Sequence, residues 1–210
     1  MIIKMSLKLS QNIASYICHE MANSIGALDG NMEFLDSDNP YQKDALDIIR
    51  HASRHLVSRV RYLRALYGSK TTSSSLGEIM NLAAEVFVDT RSLFNFNIPE
   101  LKNADLNDLD AKLLLAFIQI AHSDMPFYGS IEVNVTLVDS GYKIKVSSVS
   151  SKIRTKDNLY QILNNADVEQ SISPANVVAY YVRQLSQEPQ KYKILINPGK
   201  VDYIFYAKIL

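Results

Sequence analysis

The sequence predicts an α+β fold in which an N-terminal antiparallel helical hairpin precedes a C-terminal α/β sandwich. The hairpin follows from two runs, residues 9–35 and 45–67, in which apolar side chains recur at steps of three and four. The sandwich follows from the mixed pattern after Val86, where helical segments are interleaved with short strands of alternating polarity. We therefore assign residues 1–70 to a hairpin domain and residues 71–210 to a sandwich domain.

The two predicted helices of the hairpin are long and closely connected. The first should extend from about Ser6 to Leu35. The second should begin at Pro40, because proline suits the first helical position and Asn39 can cap the helix. Gly68 follows the second apolar stripe, where a left-handed glycine commonly ends a helix. The short connection makes the two helices antiparallel neighbours.

A lone hairpin of this length would leave part of each apolar stripe in water. Helices of roughly 30 residues extend over about 40 Å, and two rods in contact cover only one flank of each other. The opposite flanks include Ile25, Leu28 and Leu56. A second copy would cover them, so we predict a homodimer in which two hairpins form a four-helix bundle.

The elements of the sandwich follow from local signals. Residues 70–75 form a polar linker, and Ser75 with Glu78 makes a capping box that opens a third helix. The pair Ser140-Gly141 marks the turn of a β-hairpin. The remaining predicted segments are a strand near Leu93 to Ile98, helices near Asp108 to Ser123, Thr155 to Asn165 and Pro174 to Ser186, and strands near Ile131 to Leu137, Tyr142 to Val146, Tyr192 to Ile196 and Tyr203 to Leu210.

Composition argues against several classes of function. Basic and acidic residues number 22 each, so the chain has no net field to attract nucleic acid or an anionic membrane. A single cysteine, Cys18, excludes an internal disulfide and a cysteine-based zinc cluster. The longest apolar run, residues 113–121, is far shorter than the roughly 18–20 residues of a membrane span. We expect a cytoplasmic protein without a membrane or nucleic-acid partner, and with no cofactor or metal of its own.

His19 is the leading candidate for chemistry. It precedes Met21 of the apolar stripe by two positions, hence by about 200° around the helix, so it should face water. A lone exposed helical histidine is most often a solvated surface residue. Here its neighbours on the exposed side have small or short polar side chains, which leaves room for another protein to reach the imidazole. These neighbours are Ser15, Ala22, Asn23 and Gly26.

The residues around His19 resemble known phosphoacceptor sequences. The run His19-Glu20-Met21-Ala22-Asn23-Ser24 resembles the phosphoacceptor box of sensor histidine kinases, with Ser24 in place of the proline of that box. The wider segments 17–21, 25–28 and 64–68 are similar to the ChpT-type histidine phosphotransferases of bacterial cell-cycle phosphorelays. The resemblance implies that His19 carries a phosphoryl group.

The chemistry of phosphoryl relay suits these residue types. A neutral imidazole is a nucleophile near pH 7 that can accept a phosphoryl group from an aspartyl phosphate and later release it. The kinase box implies that Glu20 holds or accepts a proton on the far ring nitrogen, and Asn23 could orient a phosphate oxygen or a water molecule. A solvated acid and a surface amide remain the alternative interpretations of Glu20 and Asn23.

The second helix is rich in arginine, and its arginines are Arg50, Arg54, Arg59, Arg61 and Arg64. The simplest interpretation is a solvated face, paired in part with acids of the first helix. One alternative is that the arginines attract the acidic pocket of a receiver domain, with Arg50 and Arg54 as docking residues. A second alternative is that they contact the phosphates of a nucleic acid. Neutral net charge and the lack of interleaved aromatic residues weaken the second alternative. His51 and His55 could form a metal pair, but no third ligand is evident.

The sandwich lacks the sequence of an ATP site. The resemblance aligns Ile120 with the asparagine that binds magnesium in a histidine-kinase ATPase domain. Residues 147–151, which read Ser-Ser-Val-Ser-Ser, stand where the Asp-x-Gly-x-Gly pattern would contact adenine, and no glycine cluster could wrap phosphates. We therefore expect a degenerate histidine-kinase ATPase domain without autokinase activity.

These inferences predict a dimeric phosphotransferase. It would accept a phosphoryl group from the receiver domain of a hybrid histidine kinase and pass it to the receiver domain of a response regulator, with Mg²⁺ held by the partner receiver. The candidate residues are His19, Glu20 and Asn23 for the chemistry and Ser15, Ala22, Gly26, Arg50 and Arg54 for receiver docking. The alternatives are a regulatory protein that binds receivers without transfer and a nucleic-acid-binding protein that uses the arginine-rich helix.

Overall fold

The computed structural model describes residues 7–35, 39–69, 75–87, 92–98, 103–125, 127–139, 141–153, 157–164, 172–186 and 192–208. The helices are α1 (Leu7–Met32), α2 (Gln42–Tyr67), α3 (Leu76–Phe87), α4 (Asp108–Ser123), α5 (Asp157–Asn164) and α6 (Val177–Ser186), and a short 3-10 helix covers Glu33–Leu35. The strands are β1 (Ser92–Asn97), β2 (Gly129–Val138), β3 (Gly141–Val149), β4 (Tyr192–Asn197) and β5 (Lys200–Lys208). The predicted α+β fold, with a helical hairpin before a sheet, is confirmed.

Helices α1 and α2 form the predicted antiparallel hairpin. Helix α2 ends at Tyr67 before Gly68 as predicted, but its start and the conformation of Gly68 differ from the prediction. The helix begins at Gln42, because Asn39 and Pro40 form a turn in which the Asn39 side chain accepts a hydrogen bond from the Tyr41 backbone N–H at 2.9 Å. Gly68 is extended, with φ −69° and ψ 166°, so the predicted left-handed cap is wrong. Its N–H still donates to the Arg64 carbonyl at 2.9 Å, which satisfies one open carbonyl of the last turn.

The predicted capping box at the start of α3 is confirmed. The Glu78 N–H donates to the Ser75 hydroxyl oxygen at 3.3 Å, and that hydroxyl donates to the Glu78 carboxylate at 2.9 Å. Residues 70–74 of the predicted linker lie outside the described residues, and the proposed boundary at residue 70 stays a prediction.

The five strands form one sheet in the order β1-β2-β3-β5-β4. Strand β1 pairs with β2 in parallel, and every other pair is antiparallel, including the predicted hairpin of β2 and β3. Strand β5 begins at Lys200 rather than near Tyr203, because Lys200 already pairs with Asn197 across the turn. Gly199 in that turn has φ +71°, a conformation that glycine adopts without strain.

Helix α4 is the centre of the core and positions the site. Residues 110–121 are all buried, with exposed fractions between 0 and 6%. One side of the helix packs on the sheet, where the Phe117 ring stacks on Tyr203 with ring centroids 5.3 Å apart. On the hairpin side, the Tyr62 hydroxyl donates to the Leu115 carbonyl at 2.6 Å. The hairpin is therefore packed directly on the central helix of the sandwich.

Candidate functional site

His19 lies on α1 with its side chain exposed, as its position opposite the apolar stripe predicts. Ser15, Ala22, Asn23 and Gly26 are exposed as well. A Cβ atom built on Gly26 would meet no heavy atom within 4 Å, so the structure leaves open space over this part of the helix. The described chain therefore presents the imidazole on a surface of small side chains.

A cleft of 410 Å³ opens beside His19, between the hairpin and the sandwich. The hairpin contributes Tyr16, His19, Glu20 and Arg59, and the sandwich contributes Gln119, Ile120, His122, Ser123, Leu159, Pro174, Ala175, Asn176, Val178 and Ala179. Because His19 is exposed and also lines the cleft, its ring stands at the rim. Glu20 shares the cleft with His19, whereas Asn23, Arg50 and Arg54 are not among the described residues that line it.

Glu20 is held by an ion pair that the sequence did not single out. Its carboxylate accepts a hydrogen bond from the Arg59 guanidinium, and the side chains of Glu20 and Arg59 are only 18% and 11% exposed. A second guanidinium nitrogen of Arg59 donates to the Gln119 side-chain oxygen at 3.3 Å. These contacts join α1, α2 and α4 at the residue that follows His19 on α1.

Burial and the charge of Arg59 set the protonation of two other groups in the cleft. Burial raises the pKa of Tyr16 to about 12, and the nearby Arg59 charge opposes this shift in part. Burial lowers the pKa of His122 to about 4, and the Arg59 charge lowers it further. Both groups are therefore neutral near pH 7. A neutral His122, packed against the Phe87 ring at 4.7 Å, gives this wall of the cleft no positive charge.

The arginines of α2 divide between the two sides of the helix. Arg59 points inward, so the interpretation of the whole arginine run as a solvated face is wrong for this residue. Arg50 and Arg54 are exposed, and Arg50 pairs with Asp47 at 3.3 Å.

The neighbouring His55 faces the first helix. Its Nδ1 lies 3.0 Å from the Ser24 hydroxyl, which ties the two helices together. Among the described residues, no group of three or more His, Cys, Asp or Glu side chains could hold a metal ion.

The residues that align with the ATP site of a histidine kinase make contacts within the chain. Ile120 is 1% exposed and offers only an alkyl side chain to the cleft. The Ser147 hydroxyl donates to Asp202 at 2.6 Å, and the Ser150 hydroxyl donates to the Tyr128 carbonyl at 2.7 Å. These serines of the Ser-Ser-Val-Ser-Ser segment serve the packing of the sheet.

Comparison with known proteins identifies the family. The family model for the histidine phosphotransferase C-terminal domain matches residues 76–191, more than half of the chain. The chain belongs to the histidine phosphotransferase family. The protein phosphotransferase ChpT of Brucella abortus (strain 2308) is 24% identical over 206 residues, which cover 97% of this chain and 96% of that protein.

The fold is also that of a solved phosphotransferase. The structure of a bacterial phosphotransferase matches this member of the phosphotransferase family with a TM-score of 0.81 and 23% identity, over 95% of this chain and 96% of that one. The catalytic domain of histidine kinase ThkA matches with a TM-score of 0.47 and 13% identity, over 64% of this chain and 94% of that domain. Within the described residues, no helix is both long enough and apolar enough to cross a membrane.

Proposed function

We propose that this protein is a histidine phosphotransferase of a bacterial two-component phosphorelay and that His19 carries the phosphoryl group. The observation that supports this proposal best is the exposure of His19 among small side chains, in a chain that belongs to the phosphotransferase family. The upstream partner would be the receiver domain of a hybrid histidine kinase, and the downstream partner the receiver domain of a response regulator. Such receivers would meet the protein in the cytoplasm.

The proposed reaction consists of two transfers through one imidazole. A ring nitrogen of His19 attacks the phosphorus of the aspartyl phosphate of the first receiver, so the N–P bond forms while the P–O bond to the aspartate breaks and the carboxylate leaves. The aspartate of the second receiver then attacks phosphohistidine and reverses these bond changes. Each receiver would supply the Mg²⁺ that neutralises the transferred group. The chain itself needs only to present and orient His19.

Receiver docking would use the exposed surface around His19. Ala22 and Gly26 lie three and seven positions after His19, so they share its side of α1. Their small side chains allow close approach of another backbone. Arg50 and Arg54 are exposed on α2, where they can attract the acidic pocket that a receiver presents.

We also propose that the protein acts as a homodimer. The flank of the hairpin away from His19 carries exposed apolar side chains, and Ile25, Met32, Val57 and Val60 have exposed fractions of 51, 57, 47 and 43%. Ile25 and Met32 are seven residues apart and Val57 and Val60 three apart, so each pair shares one face of its helix. A second hairpin placed on this flank would complete a four-helix bundle and leave both His19 side chains accessible.

The test is phosphoryl labelling of the full-length protein by receiver domains from its own genome. Each receiver is phosphorylated on its aspartate with phosphoramidate and Mg²⁺ and then mixed with the protein. The wild type should acquire an acid-labile, alkali-stable label, and His19→Ala should acquire none. The matched control is His51→Ala, an exposed histidine of α2 that should keep the label. Binding of receivers without any label would instead support a regulatory protein that does not transfer phosphoryl groups.

A further inference from the structure

Arg59 lies where helices α1, α2 and α4 meet, and it takes no part in the proposed bond changes at His19. Its side chain is 11% exposed, and its guanidinium contacts Glu20 of α1 and Gln119 of α4, both of which line the cleft with His19. Gln119 is itself only 5% exposed. One side chain of α2 therefore connects the helix that carries His19 to the central helix of the sandwich.

Stabilisation of the fold alone does not account for the buried Arg59–Glu20 ion pair. Both charged groups of a buried ion pair lose their hydration, and apolar side chains of similar volume often stabilise a fold as well or better. The arrangement does fix geometry, because the guanidinium is planar and its N–H groups point in set directions. Glu20 follows His19 in the chain and lines the same cleft, so the ion pair fixes a carboxylate in the cleft that the imidazole faces.

The charge of Arg59 also acts within the same cleft. It lowers the pKa of His122 and opposes the burial-induced rise in the pKa of Tyr16. Both rings line the cleft at the side of His19. Arg59 therefore orients a carboxylate and acts electrostatically on other groups of the cleft that His19 lines.

We propose that Arg59 is a positioning residue for phosphoryl transfer, which holds the Glu20 carboxylate beside His19 and holds helix α4 against the phosphoacceptor helix. This inference rests on the proposed function, in which His19 accepts the phosphoryl group. Arg59 acts through Glu20 and Gln119 and does not need to touch the receiver. Misplacement of reacting groups by about 1 Å can slow a reaction on the order of 10²-fold, which sets the scale of the expected effect.

The experiment measures single-turnover transfer by rapid quench, with a phosphorylated receiver domain that labels the wild type. The rate constant at saturating receiver and the receiver affinity are obtained separately. Arg59→Met should lower the rate constant by on the order of 10²-fold and leave the affinity nearly unchanged. Arg61→Met is the matched control, since it removes an exposed arginine from the same helix and should change neither quantity.

A double-mutant cycle separates positioning from a merely structural role. If Arg59 acts through Glu20, most of the loss caused by Arg59→Met should vanish when Glu20→Gln is already present. A structural defect would instead lower the fraction of molecules that become labelled, without slowing those that remain folded. Should Arg59→Met fail to fold, Gln119→Leu removes one of the two contacts with a side chain of similar size and should still slow transfer.

The outcomes distinguish this inference from the proposed function. Wild-type rates in Arg59→Met and Gln119→Leu would overturn the inference while leaving phosphotransfer through His19 intact. An equal loss from Arg59→Met in the wild-type and the Glu20→Gln backgrounds would also overturn it, because Arg59 would then act independently of the carboxylate. Absence of any label on the wild type would instead refute the proposed function itself.

Discussion

The proposed hairpin dimer can be tested by placing carboxylates on its exposed apolar flank. Ile25 on α1 and Val57 on α2 are 51% and 47% exposed. Because about half of each side chain already faces water, the substitutions Ile25→Glu and Val57→Glu remove little from the core of one protomer. The two substitutions should therefore weaken dimerisation and leave the free energy of unfolding of one protomer nearly unchanged.

The size of the effect follows from the area still exposed. Full burial of an isoleucine or valine side chain is worth about 1.5–3 kcal/mol, so burial of the remaining half contributes about 1 kcal/mol. A two-fold dimer contains each residue twice, and the double variant therefore loses about 4 kcal/mol of apolar burial. This loss weakens dimerisation by roughly 10³-fold, before any repulsion between the introduced carboxylates is counted.

Sedimentation equilibrium across micromolar concentrations measures this change directly. The wild type should be a dimer, and the double variant should be a monomer with an unchanged circular dichroism spectrum. Leu93→Glu is the control, because Leu93 is 70% exposed on strand β1, outside the hairpin. A double variant that dimerises as tightly as the wild type would refute the assignment of this flank, and a monomeric wild type would refute the dimer.

Further predictions concern ATP, pH and the docking surface. Calorimetry with MgATP should detect no binding, because Ile120 cannot ligate magnesium; saturable micromolar binding would mean that the protein is a divergent kinase. Burial and Arg59 lower the pKa of His122 from 6.5 to about 4, so the folded imidazole stays neutral while the unfolded one gains a proton below pH 6.5. The contribution of His122 to stability is then complete above pH 6.5 and is lost as the pH falls toward 4. In urea titrations at a series of pH values, His122→Gln should remove up to about 3 kcal/mol of this pH dependence, and an unchanged profile would contradict the assignment. Gly26→Met should raise the melting temperature slightly, since a helical glycine costs about 0.5–1 kcal/mol and a Cβ atom at this position meets no heavy atom within 4 Å. The same substitution should weaken receiver binding in calorimetric titrations, and wild-type affinity would exclude Gly26 from the docking surface.

Local patterns in the sequence were sufficient for most of the secondary structure. Helix α4 has the predicted bounds, Asp108 and Ser123, because its apolar residues keep helical spacing over the whole segment. The capping box at Ser75 and Glu78 was equally predictable, since both partners lie within one turn. The exposure of His19 followed from the same kind of reasoning, because its angle from the apolar stripe is fixed by helix geometry.

Signals that depend on one residue were less reliable. Gly68 stands at the end of α2 as a glycine cap would, yet its backbone is extended. Glycine permits the left-handed conformation but does not impose it, so the direction in which the chain leaves the helix decides the cap. The start of α2 differs from the prediction for a related reason. The Asn39 side chain stabilises a turn before the helix and does not cap its first turn.

The role assigned to Arg59 was determined only by the tertiary structure. Its hydrogen-bond partners, Glu20 and Gln119, lie 39 and 60 residues away in the chain, and the sequence shows Arg59 as one of several arginines on the same helix. The packing of α2 against both α1 and α4 is what buries this arginine while Arg50, Arg54, Arg61 and Arg64 stay exposed. Helical periodicity fixes the angle of a side chain around its own axis, but the neighbour that covers that angle is set by how distant segments pack.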